Sequence, residues 1–245
     1  MKKLILLGTF PFLCAGLLAQ PVETTKHKTK NTLEIHAKGF GNSTWLFNKN
    51  ISAQGEAQDY DPAWGLNYGV GASAYFGSVG FALEAFIGNH TGGYSGVIKT
   101  TDTLGVVTKY SYTSNINLQV TQIPLLFKLK SDYSDSYLEA GIQYTMVSSA
   151  AYHKEGEIPK IDTAVTNYYS DYYLSAILGV GFKIQLGEGP VSILVGLRFQ
   201  YGITDLKGVD ALGQELNNPV IYPKANPTVA ASGGLALGLI YKLGG

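Results

Sequence analysis

Residues 64–76 read Trp64-Gly65-Leu66-Asn67-Tyr68-Gly69-Val70-Gly71-Ala72-Ser73-Ala74-Tyr75-Phe76. Trp64, Leu66, Tyr68, Val70, Ala72, Ala74 and Phe76 take one phase. Gly65, Asn67, Gly69, Gly71, Ser73 and Tyr75 take the other. Successive side chains on a strand point to opposite faces, so a period of two predicts a β-strand with one large apolar face and one small polar face. The same alternation recurs near 32–46, 79–89, 115–130, 136–148, 171–186, 191–203 and 229–243. Eight strands are therefore expected.

The connections between them alternate in length. Gly77-Ser78 and the stretches 131–135 and 187–190 have the composition of tight turns. The stretches 47–63, 90–114, 149–170 and 204–228 are long and polar. Short and long connections in alternation predict an all-β fold, an eight-stranded antiparallel up-and-down transmembrane β-barrel. Strands of about 11 to 13 residues tilted about 40° rise roughly 28 to 33 Å, the thickness of a bilayer's hydrocarbon core. Residues 94–112 carry Val97, Ile98, Val106, Val107, Tyr110 and Tyr112 around Leu104-Gly105, which suits a hairpin rising above the membrane.

Alternation alone does not say which face is outside. A soluble barrel turns its apolar face inward and coats the other with charge. Here the second phase is mostly small or amide: Gly80, Ala82 and Gly88; Gly141, Gln143 and Thr145; Gly179 and Gly181; Ser232, Gly234 and Gly238. The large apolar phase carries no charge at all, for example Phe81, Leu83 and Ile87, or Leu174, Leu178, Val180 and Phe182. Such a face suits lipid and would aggregate in water. Charged residues make up 15% of the chain, well short of the roughly quarter share typical of soluble domains. Trp45, Trp64, Phe76, Tyr172 and Tyr241 lie near strand ends, as an aromatic girdle at the two membrane interfaces would.

The N-terminus bears on the compartment. Met1-Lys2-Lys3, an apolar run from Leu4 to Leu18 and a small-residue site before Gln20 make 1–20 a signal peptide. Residues 21–31 read as a flexible periplasmic leader, and 32–245 as the barrel. Cys14, the only cysteine, lies in the segment expected to be removed. The expected location is the outer membrane, with its lipid as the first partner. A net charge of zero leaves nothing to attract nucleic acid.

Extending the inward phase collects Glu34, His36, Lys38, Glu84, Lys128, Glu139, Lys183 and Arg198. An eight-stranded barrel is just wide enough for side chains to fill, and an unpaired charge there is costly. A paired network plugging the lumen is expected, and with it negligible conductance in planar bilayers. In residues 115–130, Ile116, Leu118 and Val120 share one parity while Ile123, Leu125, Phe127 and Leu129 share the other. Pro124 sits at the change and has no N–H for the ladder, so a β-bulge is expected near 122–124.

Catalytic, cofactor and metal patterns are missing from the sequence. His27, His36, His90 and His153 are scattered, and no His-Glu-x-x-His or Gly-x-Ser-x-Gly spacing occurs. His90 with Thr91 and Tyr94, and His153 with Ser148 and Ser149, are the only candidates for lipid-modifying chemistry. The expectation is a non-enzymatic barrel with no cofactor.

Val120-Thr121-Gln122-Ile123-Pro124-Leu125-Leu126-Phe127-Lys128, followed by Tyr137-Leu138-Glu139-Ala140-Gly141, resembles the central signature of the PorT-like outer membrane protein β-barrel family. Leu197-Arg198-Phe199-Gln200-Tyr201-Gly202-Ile203-Thr204-Asp205 is similar to that family's penultimate strand and its exit into the last loop. The resemblance covers about 32–243. It implies an eight-stranded outer-membrane barrel, and a role for some members as accessory parts of protein secretion. One departure is the end of the chain, Tyr241-Lys242-Leu243-Gly244-Gly245, where such barrels usually finish on an aromatic residue.

Three functional expectations follow. The first is a surface scaffold or interaction protein that uses loops 90–114, 149–170 and 204–228. The second is a PorT-like accessory component that uses the periplasmic turns and barrel wall. The third is a narrow channel, which would need mobile or unpaired lumen charges.

Overall fold

A computed structural model describes residues 31–131 and 134–243. The segment expected as a signal peptide, nearly all of the expected leader and Cys14 lie outside the described residues. Ten strands form: β1 (Thr32–Phe47), β2 (Asp59–Asp61), β3 (Trp64–Phe76), β4 (Val79–Thr101), β5 (Val107–Lys130), β6 (Ser136–Gly156), β7 (Ile161–Ala164), β8 (Tyr172–Gln185), β9 (Val191–Gly202) and β10 (Val229–Leu243). Eight of them close a ring in the order β1–β3–β4–β5–β6–β8–β9–β10 and back to β1, each pairing antiparallel. The short β2 and β7 pair outside the ring, with β4 and β6 respectively. The chain is an eight-stranded up-and-down barrel. No described helix is long and apolar enough to cross a membrane.

The large apolar phase points outward. Leu66, Tyr68, Val70, Phe81, Leu83, Ile142, Leu178, Leu237 and Leu239 are all exposed. Small residues on the inner phase let the interior fill. A Cβ on Gly71 would stand 2.5 Å from His36 Nε2 and 2.8 Å from Glu84 Cγ. One on Gly179 would stand 2.8 Å from Glu139 Cγ. Glycine at these two positions makes room for the buried charges beside them.

Three strands are longer than the periodicity indicated. β4 and β5 stay paired from Asn89↔Gln119 up to Thr101↔Val107, and β6 runs on to Gly156. Most of the long connection 90–114 is therefore a two-stranded extension roughly 40 Å along its strands, the hairpin expected over 94–112. The stretch 149–170 likewise begins as strand. Asp102 shapes the hairpin tip: its Oδ1 accepts from the N–H groups of Leu104 and Val106, both at 2.9 Å. Gly105 follows at φ +79°, a left-handed conformation that favours glycine.

The bulge expected near 122–124 is not there. Even-numbered residues of β5 point inward along its whole course from Tyr112 to Lys128. Pro124 interrupts the ladder opposite Glu84 and Ala85 without shifting the register. The apolar residues change parity because the surroundings change. Ile123, Leu125, Phe127 and Leu129 face out along the lower barrel, whereas Ile116, Leu118 and Val120 face in, toward an apolar core at the loop end. Asn115 and Gln119 are exposed on the outer side of that upper half. The register shift falls instead on β6, where Val147 pairs with Val120 and Ser149 with Gln119, leaving Ser148 as the extra residue.

Candidate functional site

The interior fills in four layers. The lowest, at the turn end, holds Glu34. Its two carboxylate oxygens accept from Lys183 Nζ at 2.7 and 2.6 Å, and Lys130 Nζ donates at 3.2 Å. Both ammonium groups stand over the Tyr75 ring, at 3.8 Å for Lys130 and 4.8 Å for Lys183.

The second layer joins two carboxylates to three cations. Glu84 accepts from Lys38, from His36 Nε2 at 3.0 Å, and lies 2.8 Å from Arg198 Nη2. Glu139 accepts from Arg198 Nε at 2.6 Å. Lys128 lies between the two acids, 3.3 Å from Glu139 and 3.8 Å from Glu84. The guanidinium also stands 4.9 Å from the Phe40 ring. All of these side chains are buried.

The third layer is neutral. Gln122 Nε2 donates to Asn67 Oδ1 at 3.1 Å, and Asn67 Nδ2 donates to Asn42 Oδ1 at 2.7 Å. The same Gln122 amide reaches His90 Nε2 at 2.9 Å. That nitrogen must accept, so His90 carries its proton on Nδ1 and donates it to the Tyr173 hydroxyl at 2.7 Å. Both His90 nitrogens are committed to this network. Thr91 and Tyr94, named with it as a candidate group, make other contacts: Asn89 donates to Thr91, and Tyr94 donates to Leu46 O.

The fourth layer is an apolar cap. The connection 203–228 folds back into the barrel mouth and buries Leu206, Val209, Ala211, Leu216 and Tyr222 against Tyr94, Ile116, Leu118 and Tyr152. Asp210 pins it. Oδ1 accepts from the Leu212 and Gln214 N–H groups at 2.9 and 2.8 Å, and Oδ2 from Gln58 at 3.0 Å and from the Tyr222 hydroxyl. Ala211 O accepts from Ser114 at 2.7 Å and Tyr152 at 3.0 Å, which fastens the cap to β5 and β6. The stretch 204–228, expected as a free external loop, is thus largely a plug.

Sequence reading missed Lys130, the inward place of His90, which it named only as a candidate for lipid-modifying chemistry, and Asp210. Parity could have found the first two, since Lys130 shares the phase of Lys128 and His90 that of Glu84. Asp210 lies outside any strand and had no periodic signal. Of the girdle residues, Trp64, Phe76, Tyr172 and Tyr241 are exposed on the outer surface, whereas Trp45 is half-buried. Tyr172 stacks on Tyr144 at 5.4 Å.

His153 lies on the outside, apart from Ser148, whose hydroxyl donates to Gln119 O at 3.1 Å. Its partner is Asp162, directly opposite on β7, and Glu155 lies 3.4 Å from the other ring nitrogen. These hydrogen bonds, Asp162 first, raise the His153 pKa above its ordinary value. A raised folded value means that the charged pair holds β7 fully at acid pH and is lost as pH rises through that value. Amide exchange at 161–164, corrected for the intrinsic rate, should therefore quicken as pH rises above the ordinary imidazole value. His153→Gln should remove that dependence, and a flat wild-type profile would dismiss the pair as β7's fastening.

Closed ring, apolar exterior and an interior of buried, paired side chains define a membrane-spanning β-barrel. No family model and no curated protein matches the chain. Among solved structures, Neisserial surface protein A aligns over 87% of this chain and 99% of its own, at 10% identity and a TM-score of 0.42. Ail of Yersinia pestis aligns over 86% of this chain and 99% of its own, at 8% identity and a TM-score of 0.37. The N-terminal β-barrel domain of Pseudomonas aeruginosa OprF aligns over 88% of this chain and 100% of its own, at 14% identity and a TM-score of 0.32. The PorT-like resemblance therefore rests on the quoted segments alone.

Proposed function

We propose that this chain is a non-enzymatic outer-membrane barrel that works as a surface scaffold or interaction protein. The observation that carries this reading is where ordered structure continues beyond the lipid-facing band. The pore is filled by ion pairs and by the cap, while β4, β5 and β6 rise past the rim as an extended sheet. The contact surface narrows accordingly to the β4–β5 hairpin and the β6–β7 edge. Buried ion pairs hold each lumen charge, which tells against the channel reading.

A PorT-like accessory role in secretion or envelope assembly is the second reading, favoured by the segments 120–128 and 137–141. Within those segments Gln122, Lys128 and Glu139 are interior residues. They support a shared barrel interior more directly than a shared role.

In-cell crosslinking from the hairpin and, separately, from the turn 131–135 discriminates the two. A specific external partner captured from the hairpin, and lost when 97–111 is replaced by a short turn, is the expected result. Capture of a secretion component from the turn, unaffected by that replacement, would overturn the surface role in favour of the accessory one.

A further inference from the structure

The β4–β5 hairpin outruns its neighbours. β2 pairs with β4 only from Gly93 to Ser95, and β6 pairs with β5 no higher than Tyr112. The register says which backbone groups this leaves open. Asp102 N donates to Val106 O at 3.0 Å, so even residues near the tip bond across the hairpin. In an antiparallel pair the alternate residues then point their N–H and C=O outward. Outward groups belong to Val97, Lys99 and Thr101 on the β4 edge and to Val107, Lys109 and Ser111 on the β5 edge. Ser111 is already covered, since its N–H donates to Glu157 at 2.6 Å and its C=O accepts from the Glu157 N–H at 3.0 Å. On the β4 edge the segment Gly55–Ala57 packs beside Gly96, where an added Cβ would stand 2.1 Å from Ala57 O, so the open ladder there is Lys99 and Thr101.

Charge says what could add to that ladder. Lys99 and Lys109 are opposite partners on the outer face of the hairpin. The acid at the tip, Asp102, is committed to shaping the turn. Glu56 reaches Lys99 only at 3.4 Å, and both side chains are more than half exposed, so little holds them together. A second copy pairing symmetrically along 97–101 would set Lys99 against Lys99, and like charges directly opposite destabilise a sheet. An acidic side chain opposite Lys99 reverses the sign.

We infer that the β4 edge at Lys99–Thr101 is a docking site for an extended segment of another protein, added as a further antiparallel strand with an acidic residue facing Lys99. Backbone bonds to Lys99 and Thr101 supply the pairing, and the Lys99–Lys109 face selects the acidic partner. This inference rests on the surface-interaction reading and gives it a partner chemistry.

The test uses the full barrel in lipid nanodiscs and a fluorescent seven-residue peptide that alternates valine with glutamate. A valine–lysine peptide serves as control. Fluorescence anisotropy should show binding of the glutamate peptide only. Lys99→Pro removes the outward N–H without touching a β4–β5 bond, and should weaken binding about tenfold or more. Val107→Pro, a change that removes an outward N–H from the β5 edge and no charge, should leave binding intact and so controls for folding of the hairpin. Lys99→Glu should exchange the preference to the lysine peptide.

No binding of the glutamate peptide, equal binding to Lys99→Pro, or hairpin-to-hairpin crosslinks between copies would each overturn the proposal. An external partner still crosslinked in cells from the Lys99→Pro hairpin would sink the edge site while leaving the surface role standing.

Discussion

Glu84→Ala is expected to destabilise the barrel by about 3–5 kcal/mol, the cost of stranding buried charges whose partner is gone. Glu84 accepts from Lys38 and His36 and lies 2.8 Å from Arg198, so one truncation leaves two buried cations under-compensated. Urea unfolding of the barrel in phospholipid vesicles measures the loss. Adding Lys38→Met should recover part of it, because removing both members of a buried pair costs far less than removing one. A Glu84→Ala barrel with an unchanged unfolding midpoint would mean that the layer is hydrated and its ion pairs are not structural.

Leu178→Arg is expected to cost about 2–4 kcal/mol, the penalty for a charge on the lipid face at the bilayer midplane. Leu178 is 62% exposed, half-way along β8, and pairs with Ala140 and Phe199 on its two sides. The same change at Gln119, exposed on the outer face of β5 above the point where the apolar band stops, should cost at most about 0.5 kcal/mol. The contrast would place Leu178 within the lipid band and Gln119 beyond it. Equal, small costs at both sites would remove lipid from the outer surface.

How much of this was legible beforehand differs from element to element. The alternation through 64–76 reports strand and face together, because side-chain direction on a strand depends only on parity. The same parity put Glu34, Lys38, Glu84, Lys128, Glu139, Lys183 and Arg198 on the inner phase. Which of them meet was not legible. Lys38 and Glu84 are 46 residues apart, and Lys183 and Glu34 are 149 apart. Their contact depends on ring closure and on the stagger of each strand against the next.

The parity rule also misled at one place. The switch of apolar residues along β5 resembles a bulge in sequence, yet the strand is regular and its surroundings change from lipid outside to an apolar core inside. The real irregularity, at Ser148 on β6, follows from the partner strand's register and leaves no mark of its own in the local pattern.

The sequence by itself determined the strand period, the lipid-facing phase, the alternation of short and long connections and the set of inward charges. Each of these is a property of neighbours along the chain. Only the tertiary structure decided that 203–228 plugs the mouth, that Asp210 pins the plug, that particular ions pair, and that the β4–β5 hairpin outruns its neighbours. Each of these depends on contacts between segments far apart in sequence. Such contacts are formed by closure of the barrel, and no local window of residues encodes them.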